Sequence, residues 1–208
     1  MIKKLKRIKV EEKIKAIGLQ VFTPREFREI FAVSANTASV FITNNIKSGL
    51  FIKLRNNFYI LKDSNPAYFF IANKLCSPSY ISLQSALSYY QIIPEVVYTT
   101  TSVTTKISKE FSTIKGDFIY HHIKRNVFTG YSLKLIDQAK VLIADPEKAL
   151  ADYLYFVDLK RLILNDRLKL RYINKNNLIT YIKLFTRPGM FKLMEQIYAE
   201  YKKPRKIY

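Results

Sequence analysis

Apolar residues recur every three or four positions at the start of the chain, and then the period changes. Ile2, Leu5, Ile8, Ile14 and Ile17 are spaced for one face of a helix that ends near Gly18, with lysines between them. Thr23-Pro24-Arg25-Glu26 opens a second helix: Thr23 caps it, Pro24 suits its first position and Glu26 completes a capping box. Phe27, Ile30 and Phe31 form its apolar face, and Ala32-Val33-Ser34 is a tight turn. Ser34 then caps a third helix that runs to about Ser48 and stops at Gly49. On that helix Ala38, Phe41, Ile42, Asn45 and Ile46 fall on one side. Asn36, Val40, Thr43 and Lys47 fall on the other, flanked by Thr37 and Asn44. Leu50–Leu54 and Phe58–Leu61 read as strands around the tip Arg55-Asn56-Asn57, where Asn57 tolerates the left-handed backbone of a tight hairpin. This order predicts a winged helix-turn-helix.

Asp63-Ser64-Asn65-Pro66 breaks both periodicities and marks a boundary, giving units 1–64 and 65–208. Beyond it, Ala67–Cys76 and Leu83–Gln91 read as helices, the second capped by Ser82, with Pro94 past its end. Val96–Val103 is rich in Thr and Val and reads as a strand. Phe111–Ile114 and Phe118–Ile123 bracket the turn Lys115-Gly116-Asp117, and Tyr131–Ile136 and Lys140–Ala144 bracket Asp137-Gln138. Asp145-Pro146-Glu147 starts a helix through about Phe156. Leu159–Leu170, Lys175–Phe185 and Met190–Tyr201 complete a helical tail. The predicted fold class is α+β: an N-terminal winged helix-turn-helix, then an α+β domain with antiparallel hairpins and a helical C-terminal tail.

Charge adds a partner class to this pattern. The 208 residues carry a net charge of +19. Residues 1–64 hold 13 Lys+Arg and 5 Asp+Glu, residues 65–160 hold 10 and 8, and residues 161–208 hold 12 and 3. Two basic ends around a balanced middle favour polyanions, because bound phosphates release condensed counterions. A helix entering the major groove needs amides for adenine edges, hydroxyls, a small apolar group for the thymine methyl and a cation. Asn36, Thr37, Val40, Thr43, Asn44 and Lys47 supply these, and Arg55, Asn56 and Asn57 supply a wing tip. Duplex DNA is the expected partner.

Other chemistries find little support. The single cysteine, Cys76, excludes an internal disulfide framework and suits a reducing cytosol. No apolar run approaches the ~18 residues that span a bilayer, and the first residues lack the apolar stretch of a signal peptide, so a cytoplasmic protein without a membrane partner is expected. Five glycines include no phosphate-binding loop. His121 and His122 are adjacent in a predicted strand and point to opposite faces, so they do not converge on a metal. Asp117, Asp145, Glu147 and Lys148 are the residues a metal-dependent nuclease would recruit. They read instead as a turn residue and helix-start residues. No catalytic residue, metal or cofactor is expected.

A family likeness rests on motifs in the second unit. YISLQSALSYYQIIPE at Tyr80–Glu95, TSVTT at Thr101–Thr105, FSTIKGDFIYHHI at Phe111–Ile123, FTGY at Phe128–Tyr131 and ADPEKALADYLYF at Ala144–Phe156 occur in order. With the N-terminal layout, they make the chain resemble the AbiEi family of type IV antitoxins, which are also autoregulatory transcription factors. The likeness covers roughly residues 20–156 and implies a winged helix that binds promoter inverted repeats and represses its own operon. It further implies a C-terminal domain that counteracts a nucleotidyltransferase-like toxin without a stable complex. Inverted repeats imply a monomer in solution or a dimer on DNA. Relatives often carry Arg-Gly at the wing, where this chain has Asn57 in place of the glycine. The alternatives are a metal-dependent nuclease targeted by a winged helix, an interaction module whose basic tail binds RNA or the toxin's substrate, and an orphan regulator without a toxin.

Overall fold

Local capping chemistry sets the first helices. In the computed structural model, which describes residues 5–201, α1 spans Arg7–Ala16, α2 Pro24–Phe31 and α3 Ala35–Lys47. The Thr23 hydroxyl accepts from the Glu26 amide at 3.2 Å and the Glu26 carboxylate accepts from the Thr23 amide at 2.7 Å, closing the expected capping box. Ala32 turns the chain with a left-handed backbone (φ 50°), and the Ser34 hydroxyl accepts from the Thr37 amide at 3.1 Å to start α3. α1 departs from its expected face. Val10 and Ile14 are its buried residues, whereas Ile8 and Ile17 are 69% and 50% exposed. Ile2 lies outside the described residues.

β1 (Phe51–Arg55) and β2 (Phe58–Leu61) form an antiparallel hairpin whose tip is Asn56-Asn57, with Asn57 at φ 66°. Phe22 adds a single bridge to this hairpin: its N–H and C=O both bond to Tyr59 at 2.9 Å. The rings of Phe22, Phe27, Phe41 and Phe51 meet at centroid distances of 5.1–6.3 Å and fill the core beneath α2, α3 and the hairpin. Phe22, Phe27 and Phe51 are fully buried, each contributing about 1.5–3 kcal/mol, and Phe41 is partly buried against them.

The rest of the chain builds a mixed α+β unit. α4 (Tyr68–Leu75), β3 (Ser79–Ile81), α5 (Leu83–Tyr89), β4 (Thr100–Thr104), β5 (Lys109–Thr113), β6 (Gly116–His122), β7 (Tyr131–Ile136), β8 (Ala139–Ala144), α6 (Pro146–Asp158), α7 (Lys175–Leu184) and α8 (Pro188–Tyr201) follow in order. The six strands lie in the order β5-β6-β4-β3-β8-β7. β5/β6, β3/β4 and β7/β8 pair antiparallel, while β4/β6 and β3/β8 pair parallel. Asp137 and Gln138 both take positive φ (48° and 61°), which suits the right-handed twist of the β7–β8 hairpin. Strand alternation aims neighbours at opposite layers. The Tyr120 hydroxyl donates to the Ala72 carbonyl of α4 at 2.7 Å, and the His121 ring packs on Phe156 of α6 at 4.9 Å.

Three expectations for this unit change. The Thr/Val-rich stretch forms a strand only from Thr100, and Val96 and Tyr98 before it are 74% and 91% exposed. Residues 159–174 form irregular chain rather than a helix, with Lys160 at φ 59° and Ile163 91% exposed. Ser82 does not cap α5: its side chain is turned to the Asp152 carboxylate, to which its hydroxyl donates.

The two apolar clusters do not divide cleanly at residues 63–66. Val21, Leu54 and Ile60 pack with the large cluster of the second unit, although they precede the boundary. Among the described residues no helix is long and apolar enough to cross a membrane.

Candidate nucleic-acid interface

α3 presents the expected stripe. Asn36, Val40, Thr43, Asn44 and Lys47 are exposed along one side, with Val40 51% exposed. Ala38, Ile42 and Asn45 are buried on the other. Asn45 is polar yet satisfied, since its amide donates to the Phe41 carbonyl at 2.8 Å. Thr37 is half-buried, and its hydroxyl sits 2.9 Å from that of Ser34, so it helps the cap as well as flanking the stripe. The helix is steadied from below by the stacked Phe27 and Phe41 rings, and at its C-terminal end by Arg7, which donates to the Ser48 carbonyl at 3.3 Å.

The hairpin differs from expectation at one residue. Asn56 and Asn57 are exposed at its tip, but Arg55 is turned inward. Its guanidinium lies between the Phe58 and Phe111 rings, 4.5 and 4.3 Å from their centroids, and donates to the Leu75 carbonyl at 2.7 Å. The register shift between Lys53 and Arg55 accompanies this turn. Packing wins because the flat guanidinium satisfies a buried carbonyl while stacking on two rings. Arg55 therefore fastens the hairpin to β5 and α4 and is not a free wing-tip cation. The exposed cation of the hairpin is Lys53, in the middle of β1.

The acidic residues of the second unit do not gather. Asp117 is exposed at the start of β6. Asp145 precedes α6 and accepts from Ser132 and Tyr181, both at 3.3 Å, while Glu147 accepts from the Asn174 amide at 2.8 Å. Among the described residues no three His, Cys, Asp or Glu side chains converge as a metal site.

A polar cluster that the sequence reading missed lies in the core. Lys148 and Asp152, one turn apart on α6, form an ion pair with neither side chain exposed. Asp152 also accepts from the Tyr80 hydroxyl at 3.0 Å and the Ser82 hydroxyl at 2.7 Å. Burial pushes the Asp152 carboxyl up from its ordinary value, while the Lys148 ammonium and the two hydroxyls pull it back. The Lys148 ammonium lies 4.8 Å from the Phe185 ring centroid. The spacing Lys-x-x-x-Asp was visible, but only burial distinguishes this pair from a solvated one.

The chain is a mixed α+β protein carrying an exposed polar helix face beside a two-stranded hairpin. No protein-family model matches the sequence, and no curated protein matches it.

Proposed function

We propose that residues 1–64 are a winged helix-turn-helix that binds duplex DNA, with α3 as the helix in the major groove and β1–β2 as the wing. The observation that carries this reading is the exposed stripe Asn36, Val40, Thr43, Asn44 and Lys47, backed by the buried Ala38, Ile42 and Asn45 of the same helix. The capped α2, the left-handed turn at Ala32 and the Phe22 bridge onto the hairpin support it. The net charge of +19 favours phosphate contact.

The ordered motifs from Tyr80 to Phe156 support the finer reading, an AbiEi-like antitoxin that represses its own operon. On this reading the chain counteracts a nucleotidyltransferase-like toxin without catalysis of its own, in the cytoplasm. Co-expression with a nucleotidyltransferase-like product of the adjacent gene tests the antitoxin role; growth arrest that the chain fails to relieve refutes it.

Binding to the DNA upstream of the gene, measured across salt concentrations, tests the interface. Lys47→Ala should weaken binding to many sequences and lower the salt slope by about one unit, as for a phosphate contact. Asn36→Ala or Asn44→Ala should lose ~1–3 kcal/mol of discrimination between operator and unrelated DNA, the value of a good bidentate base contact. Unchanged binding in all three variants removes α3 from the interface.

A further inference from the structure

β7 is an outermost strand of the six-stranded sheet. Antiparallel strands turn the N–H and C=O of alternate residues toward the partner strand, and those of the residues between them away from it. Three observations fix which are which in β7. Asp137-Gln138 closes a two-residue turn between the partners Ile136 and Ala139, so Ile136 bonds inward. The Asp145 amide donates to the Gly130 carbonyl at 2.9 Å, so Gly130 is turned inward as well. Leu142, the partner of Leu133, gives both of its backbone groups to the Asn73 side chain on the far side of β8. The inward set is therefore Gly130, Ser132, Lys134 and Ile136. The N–H and C=O groups of Tyr131, Leu133 and Leu135 point out from the sheet edge, where no partner meets them among the described residues.

Edge strands are ordinarily blunted by charges, prolines, bulges or a covering element. The opposite edge follows that rule: β5 begins with the exposed Lys109 and Glu110, and Arg55 of the hairpin stacks on its Phe111. β7 does not. It pairs with β8 in unbroken register, without proline or bulge, and leaves Leu133 and Leu135 58% and 73% exposed. By strand alternation Tyr131, Leu133 and Leu135 lie on one face. The Tyr131 ring stacks on Tyr80 at 4.5 Å, which anchors that end of the strand to the core. Lys134 lies on the other face, its ammonium 4.9 Å from the Tyr90 ring centroid.

This edge is complementary to itself. Antiparallel pairing about a two-fold axis through Leu133 sets Leu133 opposite Leu133 of a second copy, and Leu135 of each copy opposite Tyr131 of the other. All three open residues then form hydrogen-bonded pairs, about six backbone bonds in all. Lys134 faces Ser132 of the second copy. Moving the axis to Lys134 would set two lysines directly opposite each other, which is unfavourable, and would place Tyr131 opposite the turn residue Asp137. The contact is isologous and the β5 edge is covered, so association closes at two copies. We propose that β7 joins two copies of this chain edge to edge, with Leu133 on the two-fold axis, into one continuous sheet. β7 shares no residue with α3, so this pairing and duplex binding succeed or fail independently.

Sedimentation of the full chain from micromolar to millimolar concentration tests this. A reversible monomer–dimer equilibrium is expected, weakened about tenfold or more by Leu133→Lys, which sets two cations face to face in place of two leucines. Leu133→Pro removes an N–H that points away from β8, so it should abolish the dimer and keep the β7–β8 ladder. Cysteine substitution reads the register. The Cα atoms of a hydrogen-bonded antiparallel pair lie ~5.5 Å apart, within disulfide range. Oxidation should therefore link two chains through Leu133→Cys but not through Leu135→Cys, whose position lies opposite Tyr131 rather than its own copy. Cys76 is buried and does not compete. A chain that stays monomeric at millimolar concentration overturns the proposal. A dimer indifferent to Leu133→Lys overturns it too, as does a Leu135→Cys chain that links as readily as Leu133→Cys. Should Leu133→Pro fail to fold, the lysine and cysteine variants still decide the matter.

Discussion

A single substitution at Lys148 bears on the largest electrostatic commitment in the core. The ammonium and the Asp152 carboxylate are both fully buried, and Tyr80 and Ser82 complete the carboxylate's shell. Removing one partner of such a pair strands a charge in apolar surroundings and costs about 3–5 kcal/mol. Lys148→Ala should show that loss in urea unfolding. The double variant Lys148→Met, Asp152→Asn removes both charges while keeping an oxygen for the two hydroxyls, and should recover much of it. A double variant no more stable than the single one would mean that the charges themselves hold this core together. Glycine acts at the same scale in one place. Gly130 has φ +70°, and a Cβ there would come within 2.5 Å of the Tyr181 ring, so only glycine lets α7 approach.

At the scale of elements, the hairpin is attached to the second unit through Arg55. Its stacking on Phe58 and Phe111 and its bond to the Leu75 carbonyl link β1 to β5 and α4. The Lys74–Glu26 pair at 3.4 Å and the Lys115–Asn65 bond at 3.1 Å span the same junction at exposed or half-buried sites, where such contacts contribute little. Arg55→Ala should therefore lower stability by about 1.5–3 kcal/mol, the range for a hydrogen bond from a charged group. It should leave the salt slope of DNA binding unchanged. A slope reduced by about one unit with stability intact would instead mark Arg55 as a phosphate contact. α6 has the opposite character from α3: nine of its residues are buried, against three on α3, so α6 serves packing while α3 keeps one face for water or a partner.

For the molecule as a whole, the basic C-terminal region belongs to the fold. Leu168, Leu170, Leu178, Ile182, Met190 and Met194 are buried in the same cluster as the sheet and α6. Asp158 on α6 pairs with Arg187, and its carboxylate would meet a Cβ on Gly189 at 1.9 Å, so α8 starts directly against α6. Deleting residues 161–208 is therefore expected to abolish cooperative unfolding and expose a dye-binding apolar surface, rather than remove a detachable tail. A truncated chain that still unfolds in one sharp transition would show that the second unit closes without it. Charge substitutions on exposed tail positions, such as Lys183 or Lys192, are the way to test what the +9 of that region attracts.

What the sequence determined by itself were the features governed by near neighbours. The capping box at Thr23, the stop at Gly49, the left-handed Asn57 and the Asp137-Gln138 turn are set by residues within one turn of each other. The two faces of α3 follow from a helical period that needs no partner to be read. Tertiary structure decided where a local preference met a distant competitor. The Ser82 side chain is turned away from the α5 amides toward Asp152, 70 residues away, to whose buried carboxylate it donates a charge-assisted hydrogen bond. Arg55 leaves the tip for Phe111 and Leu75. The segment 159–170 carries a helical pattern of leucines but lies as irregular chain, with Leu168 and Leu170 buried and Ile163 exposed. Periodicity tells which residues seek burial. Only the assembled sheet and helices fix which of them find it, because burial depends on contacts between parts of the chain far apart in sequence.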